Sequence, residues 1–323
     1  MVTFTQIPAN YTPIATPVHY ALELEEKMDI LVHVILDDSG KILSAKRFGG
    51  VSELTLDIAP TLRREAYLSP MQGETGVYNP SDRQLFVHVA VLRADTHEVL
   101  RASPSRLFVA STTSAMPPIL LTTLPTQRLI AHGECDELLF GFEEASAVVV
   151  TAKMPNGMVV RNYPVDTAGL RVFRLDTCDF PEAEQLSVET EFGESVEYTL
   201  VKRPHGAVRL AWRSSQGSLE HYTFPVVLRA WNECERYTSF GAEGYRQVGS
   251  PLWHKQIASA FEPAPLLEAL SEILLSPSVW MVEGERYTPI VVESNEATTL
   301  CRGTLCSLEL TICATQNTPM PWS

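Results

Sequence analysis

Hydrophobic positions in this chain return mostly at every second residue. Val188, Thr190 and Phe192 alternate with Glu189 and Glu191, and near the end Leu308, Leu310 and Ile312 alternate with Glu309 and Thr311. A period of two is the mark of a strand with one buried face. One stretch keeps a helical period instead. Leu266, Leu267, Leu270, Ile273 and Leu274 form an apolar stripe, with Glu268, Ser271 and Glu272 facing away. Pro265 suits a first helical turn and Pro277 cannot continue one, so a helix is predicted over residues 265–276. Val279–Met281 and Tyr287–Val292 follow as two strands joined across Glu283-Gly284-Glu285.

The same reading, taken along the chain, yields three segments. In residues 1–115 the apolar run Leu31–Leu36 leads through Asp37-Asp38-Ser39-Gly40 into Lys41–Lys46, and Leu85–Leu92 leads through a polar turn into Glu98–Ala102. Two hairpins of one design suit a sandwich. Asp57–Glu65 between them reads as one or two helical turns with an acidic start. Ser111–Pro118 is polar and then doubly proline, the composition of a linker. Residues 116–205 carry short predicted strands at Ile119–Leu124, Glu137–Phe142, Ala147–Ala152, Met158–Tyr163, Leu170–Leu175, Leu186–Phe192 and Val196–Val201. That regular spacing matches an immunoglobulin- or fibronectin-like sandwich without the Cys-Trp-Cys signature. Residues 206–323 open on a hairpin, Ala207–Trp212 and Ser218–Phe224 around Ser214-Ser215-Gln216-Gly217, pass through a glycine-punctuated region predicted to be rich in loops, and end in the helix and its strands. The expected fold class is therefore mainly β: two sandwich-like domains and a β-rich C-terminal α+β domain with one helix.

Charge narrows the partners. Against 39 acidic residues stand 25 basic ones, for a net charge of −14, which disfavours binding to a phosphate backbone. No apolar run approaches the length of a membrane span, and the start, MVTFTQIPANYTP, has neither the basic nor the apolar region of a secretory leader. Cys135, Cys178, Cys234, Cys301, Cys306 and Cys313 are dispersed without a CxxC or Cys/His spacing. Cys301 and Cys306 could meet across a hairpin. The expectation here is free cysteines in small core positions, as in a chain made in a reducing cytosol.

The search for chemistry returns no GxSxG, HExxH, phosphate loop or GxGxxG. His33 and His88, each in Val-His-Val, are too few to hold a metal. Glu134, Asp136 and Glu137 cluster, as do Glu143 and Glu144, but a glycosidase needs two carboxylates at a set distance in a cleft, and a chain this acidic produces such clusters by chance. No catalytic residue, cofactor or metal is expected. Two features point to partners. Glu189, Glu191 and Glu197 are predicted to share one exposed face, either solvated or awaiting a cationic partner. Trp231, Tyr237, Tyr245 and Trp253 fall together in the C-terminal segment, where aromatics anchor a protein or a sugar, or cover their own core or an interface between copies.

Two stretches carry a resemblance. Leu210–Phe224, a strand, a turn and a strand ending aromatic-Thr-Phe, and Leu270–Val292, with Leu274-Leu275-Ser276-Pro277 followed by Tyr287-Thr288-Pro289-Ile290, are similar in layout to structural proteins of tailed bacteriophages and prophages of Bacteroidetes. The pattern's turn Asn is replaced by Ser214 or Ser215 here. The resemblance implies a non-enzymatic virion component of the tail, tail tip or baseplate, assembled in the bacterial cytoplasm. Its partners would be copies of itself, in a ring, and other tail proteins. A carbohydrate- or receptor-binding adhesin is the alternative, and four aromatics exposed in one groove would favour it. A wall-degrading enzyme would need two carboxylates of perturbed pKa in a cleft.

Overall fold

The computed structural model describes residues 1–241, 244–296 and 298–315; within the described strands, the side chains of 234–237, 239, 246–251, 298, 314 and 315 fall outside the description. Among the described residues the architecture is mainly strands, with two short α-helices.

The N-terminal unit is built from β1 (Val2–Gln6), β2 (Thr12–Pro13), β3 (His19–Leu36), β4 (Lys41–Asp57), α1 (Ala59–Glu65), β5 (Gly76–Tyr78), β6 (Gln84–Arg93), β7 (Val99–Ala102) and β8 (Arg106–Val109). All of its strands except β5 join one seven-stranded sheet, ordered β1-β3-β6-β8-β2, with β4 on β3 and β7 on β6. Register shifts between Glu23 and Ile30 interrupt the β3–β4 ladder, where bulges bend a strand. Tyr20, Leu22 and Leu24 before the shifts and Ile30, Val32 and Val34 after them point into one core with Val87, Val89 and Val91. One folded-over sheet thus takes the place of the two facing sheets of a true sandwich. Both predicted hairpins and the helical turn are present, and Asp57 Oδ1 accepts from Ala59 N at 3.0 Å at the start of α1.

The middle unit is a two-sheet sandwich of β9 (Ile119–Leu121), β10 (Gln127–Ala131), β11 (Cys135–Phe142), β12 (Ser146–Met154), β13 (Gly157–Val165), β14 (Gly169–Asp176), β15 (Gln185–Thr190) and β16 (Ser195–Val201). The five-stranded sheet runs β10-β16-β15-β12-β13 and faces a four-stranded sheet β5-β14-β11-β9. Phe140, Phe142, Phe173 and Leu175 from one sheet meet Val148, Val150, Leu186, Val188 and Tyr198 from the other in a closed core. β5 is the departure from the expected division. It lies inside residues 1–115, yet pairs with β14 through Val77 opposite Phe173. Residues 111–118 are also not a free linker: Thr112 N donates to Ser215 O at 2.8 Å.

The C-terminal unit holds β17 (Val208–Arg213), β18 (Leu219–Phe224), β19 (Val226–Gly241), β20 (Gly244–Ala258), β21 (Glu262–Pro263), α2 (Ala264–Ser271, continued by a 3-10 turn at Glu272–Leu274), β22 (Val279–Glu283), β23 (Arg286–Val292), β24 (Thr298–Arg302) and β25 (Leu305–Thr315). They make one nine-stranded sheet, β18-β17-β22-β23-β25-β20-β19. Leu267, Leu270 and Ile273 of the helix cover Trp212, Ile257, Leu308, Leu310 and Ile312 on one face, so the helix and the final strand are as predicted. Gly217, in the predicted turn, needs its positive φ of 83° and its missing side chain, because a Cβ there would stand 2.7 Å from Ala110 O of the N-terminal unit.

Two expectations fail in this unit. The region read as loops is the hairpin β19–β20, turning between Gly241 and Gly244. Cys301 and Cys306 are not free core residues: they face each other across the β24–β25 hairpin and form a disulfide, with Cys301 exposed. Cysteine usage therefore no longer speaks for a reducing compartment. Among the described residues, no helix is long and apolar enough to cross a membrane.

Candidate partner interface and the buried charge junction

β19 and β20 place all four singled-out aromatics on one ribbon. Trp231 lies opposite His254, Asn232 opposite Trp253, Tyr237 opposite Val248, and Phe240 opposite Tyr245. Because neighbouring positions along a strand point to opposite faces, Trp231 and Trp253 are on different faces of the ribbon. Trp231 is half-buried, stacked on the His254 ring at 5.1 Å and an interplanar angle of 3°, with the Arg229 guanidinium 5.0 Å from its centroid. Trp253 is half-buried beneath Lys255, whose Nζ is 4.2 Å from the ring. Tyr245 is 79% exposed at the tip and packs edge-on against Phe240, itself 75% exposed. The side chain of Tyr237 lies outside the described ones. The three described side chains do not line one groove; the tip pair is the exposed part.

Among the described residues, the third strand beside this ribbon, β25, pairs with β20 from Ala258 opposite Glu309 to Leu252 opposite Thr315. From Cys234 opposite Pro251 to Gly241 opposite Gly244 the hairpin has two strands among the described residues. At the usual rise per residue that arm extends on the order of 25 Å. A two-stranded ribbon is at best marginal in water by itself.

The acidic face is only partly as expected. Glu189, Glu191 and Glu197 are all exposed. Across β15–β16, however, Glu189 stands opposite Ser195 and Glu197 opposite Ser187, so no two of these carboxylates face each other. Ser187 Oγ donates to Glu189 at 2.6 Å and Ser146 Oγ to Glu191 at 3.0 Å. Interposed serines remove the cross-strand repulsion that would have called for a cation.

The carboxylates with the greatest structural consequence are Glu134, Asp136 and Glu137, at the head of β11. Each is buried and each is held by a different set of groups. Glu137 takes Arg83 Nη2 at 2.6 Å and Met71 N at 2.6 Å, tying the middle unit to the N-terminal one. Glu134 takes Arg209 Nη1 at 2.9 Å and Thr223 Oγ1 at 2.9 Å, both from the C-terminal unit. Asp136 takes Arg128 Nη1 at 3.0 Å and Tyr198 OH at 2.8 Å, with His221 Nδ1 3.0 Å from its other oxygen. Arg174 of β14 reaches Glu285 of the β22–β23 turn at 2.5 Å. This junction is the arrangement that sequence proximity could not reveal. The three carboxylates are the counterions of arginines, and none pairs with another across a cleft.

Burial pushes the Asp136 carboxyl up, but the His221 contact and the charges of Arg128, His221 and Arg209 outweigh it, leaving the group well below the usual carboxylate range. A folded-state value lower than the unfolded one gives stability that is fully present above the unfolded value, about 3.9, and is lost as pH falls from there. The stability gap between the natural chain and Asp136→Asn, followed by urea denaturation, is therefore expected to be wide at neutral pH and to narrow below about pH 4. A gap that stays constant through that window would mean Asp136 carries no charge in the fold.

Two cavities bear on ligands. One, of about 80 Å³, lies beside Asp136, Arg209 and His221 and is smaller than the several hundred Å³ that organic ligands occupy. The other, about 510 Å³, lies between the N- and C-terminal units. Its polar lining is engaged internally: Arg63 Nε donates to Ile14 O at 2.7 Å, Ser215 Oγ to Glu272 at 2.8 Å, and Ser214 Oγ pairs with Ser218 Oγ at 2.7 Å. His33 and His88 do not combine; His88 pairs with Asp37.

No family model and no curated protein matches the chain. Several solved structures do. A structure described as giving insight into host cell surface retention of a 1.5-MDa bacterial ice-binding adhesin matches at 9% identity over 80% of this chain and 92% of that one, with a TM-score of 0.19. A complex of Dpr2 immunoglobulin domains with DIP-Theta matches at 9% identity over 97% and 90%, with a TM-score of 0.23. A tetra-tandem repeat from the extending region of a large adhesion protein matches at 12% identity over 79% and 69%, again at 0.23. At TM-scores this low the likenesses carry no argument about function, and the mainly β architecture rests on the sheets described above.

Proposed function

We propose that the protein is a non-enzymatic structural component of a phage-type tail or tail tip, working through contacts with copies of itself and with other structural proteins. The observation that carries this reading is the long β19–β20 hairpin with its exposed aromatic pair Phe240 and Tyr245, two-stranded beyond Thr315 among the described residues. An arm of this kind is held in place by docking on a neighbour, and exposed aromatics are the usual anchors of such contacts. The layout shared with tail proteins at Leu210–Phe224 and Leu270–Val292 supports the same reading, as does the junction that fastens the units to one another. On this reading the protein resides in the virion tail.

The test is the solution mass by light scattering over a range of concentrations, for the natural chain and for one in which residues 234–251 are replaced by Asn-Gly, a pair suited to a tight hairpin turn. The natural chain is expected to form a discrete closed oligomer, and the trimmed chain to be monomeric with an unchanged melting temperature. A strict monomer at high concentration, unaffected by trimming, would overturn self-assembly and shift the reading to an adhesin-type binding module.

A further inference from the structure

The face of the C-terminal sheet opposite the helix gathers metal-ligating side chains from neighbouring strands. Cys313 of β25 lies directly opposite His254 of β20 on one side and Val291 of β23 on the other. Glu293, two residues beyond Val291, points to the same face and is held in line by its backbone N donating to Thr311 O at 2.9 Å. Nitrogen, sulfur and oxygen donors from His254, Cys313 and Glu293 all lie within 4.8 Å of one another. His254 Nδ1 is 2.9 Å from Glu293 Oε2. On the far side of the ring, Glu233 of β19 brings Oε2 to 3.5 Å from Nε2. The His254 side chain is only 4% exposed, roofed by Trp231, and its Nε2 makes no hydrogen bond. A buried ring nitrogen that makes no hydrogen bond, on an imidazole flanked by a thiol and two carboxylates, is a group arranged for something other than core packing.

We propose that His254 Nδ1, Cys313 Sγ and Glu293 bind a borderline divalent transition metal of the zinc class, with Glu233 as the carboxylate that orients the imidazole. Coordination through Nδ1 fixes the ring proton on Nε2, where Glu233 is the acceptor within reach, so the orphaned nitrogen gains its partner. Thiolate with imidazole selects zinc, cobalt or a similar ion over calcium and magnesium, which take oxygen ligands. Zinc–donor bonds of about 2.0–2.3 Å require the three donors to draw in by on the order of 1 Å, a side-chain adjustment. The ion would fasten β20, β23 and β25 to each other where the β19–β20 arm leaves the sheet. This assignment stands independently of the tail reading.

The test uses the full chain, stripped with a chelator and titrated with cobalt(II) and then zinc. One equivalent of cobalt is expected to give a thiolate-to-metal charge-transfer band that zinc abolishes, and zinc is expected to raise the melting temperature saturably. Cys313→Ser should lose the band while melting like the metal-free natural chain. Glu233→Gln should keep the band and weaken binding about 10–100-fold. Cys178→Ser and Cys234→Ser should keep it at full strength. The absence of a band at one equivalent, or a band that survives in Cys313→Ser, would overturn the proposal and leave His254 as a plain ion-pair partner of Glu293 and Glu233.

Discussion

Replacing Arg83 with methionine is expected to destabilise the chain by about 3–5 kcal/mol, the cost of stranding a buried charge by removing its partner. Arg83 is 1% exposed and Glu137 2%, and their 2.6 Å contact crosses from the N-terminal unit to the middle one. In the variant, Glu137 keeps the Met71 amide but loses its ion pair with Arg83. The double variant Arg83→Met, Glu137→Leu removes both charges and is expected to recover much of the loss. It should not recover all of it, because the Met71 N–H then lacks its acceptor, at a cost of about 1–3 kcal/mol. Urea denaturation followed by fluorescence and by far-ultraviolet dichroism checks this. An Arg83→Met loss below about 1 kcal/mol would mean that the pair contributes no more than a surface ion pair does.

The second large effect is expected at Trp212. It is fully buried on β17, against Leu270 and Ile273 of the helix and Leu308 and Leu310 of β25. Trp212→Ala should cost about 3–5 kcal/mol, from lost apolar transfer and from the cavity that remains. Trp212→Phe should cost much less, since the ring is largely kept and the indole Nε1 has no hydrogen-bond partner to lose. Equal losses for the two variants would show that a phenyl ring cannot take the place of the indole in this core.

These two sites differ in how far the sequence announced them. Trp212 sits in a hairpin marked by its Ser214-Ser215-Gln216-Gly217 turn, and the helix that covers it was marked by prolines at both ends. Leu186–Phe192 of the middle sandwich was legible from its alternation, and the hairpins around Asp37–Gly40 and Asp95 from apolar runs that end in polar turns. The β19–β20 hairpin was not. Its Gly, Ser and Pro residues read as breaks between elements. β5 is too short to show a period. The Glu134–Asp136–Glu137 cluster was visible as a run of charge, but the arginines that hold Glu137 and Glu134 lie 54 and 75 residues away, beyond any local spacing. The disulfide was missed on a different ground: Cys301 and Cys306 were assigned to a core, whereas their register sets them opposite each other on an exposed hairpin. For the His254–Cys313–Glu293 group there was one local clue. Cys313 continues the Glu309 and Thr311 side of the last strand, not the Leu308, Leu310 and Ile312 side, so a cysteine stands where polar residues belong.

The charge junction also decides how the molecule carries load. Each unit is joined to its neighbours at several points besides the main chain: Arg83 to Glu137, Arg209 to Glu134, Arg174 to Glu285, and Thr112 to Ser215. Tension applied at the arm would therefore reach the N-terminal sheet through side-chain struts working in parallel, and not through one extensible tether. On the proposed structural role, a chain braced in this way would transmit displacement without folding at a hinge.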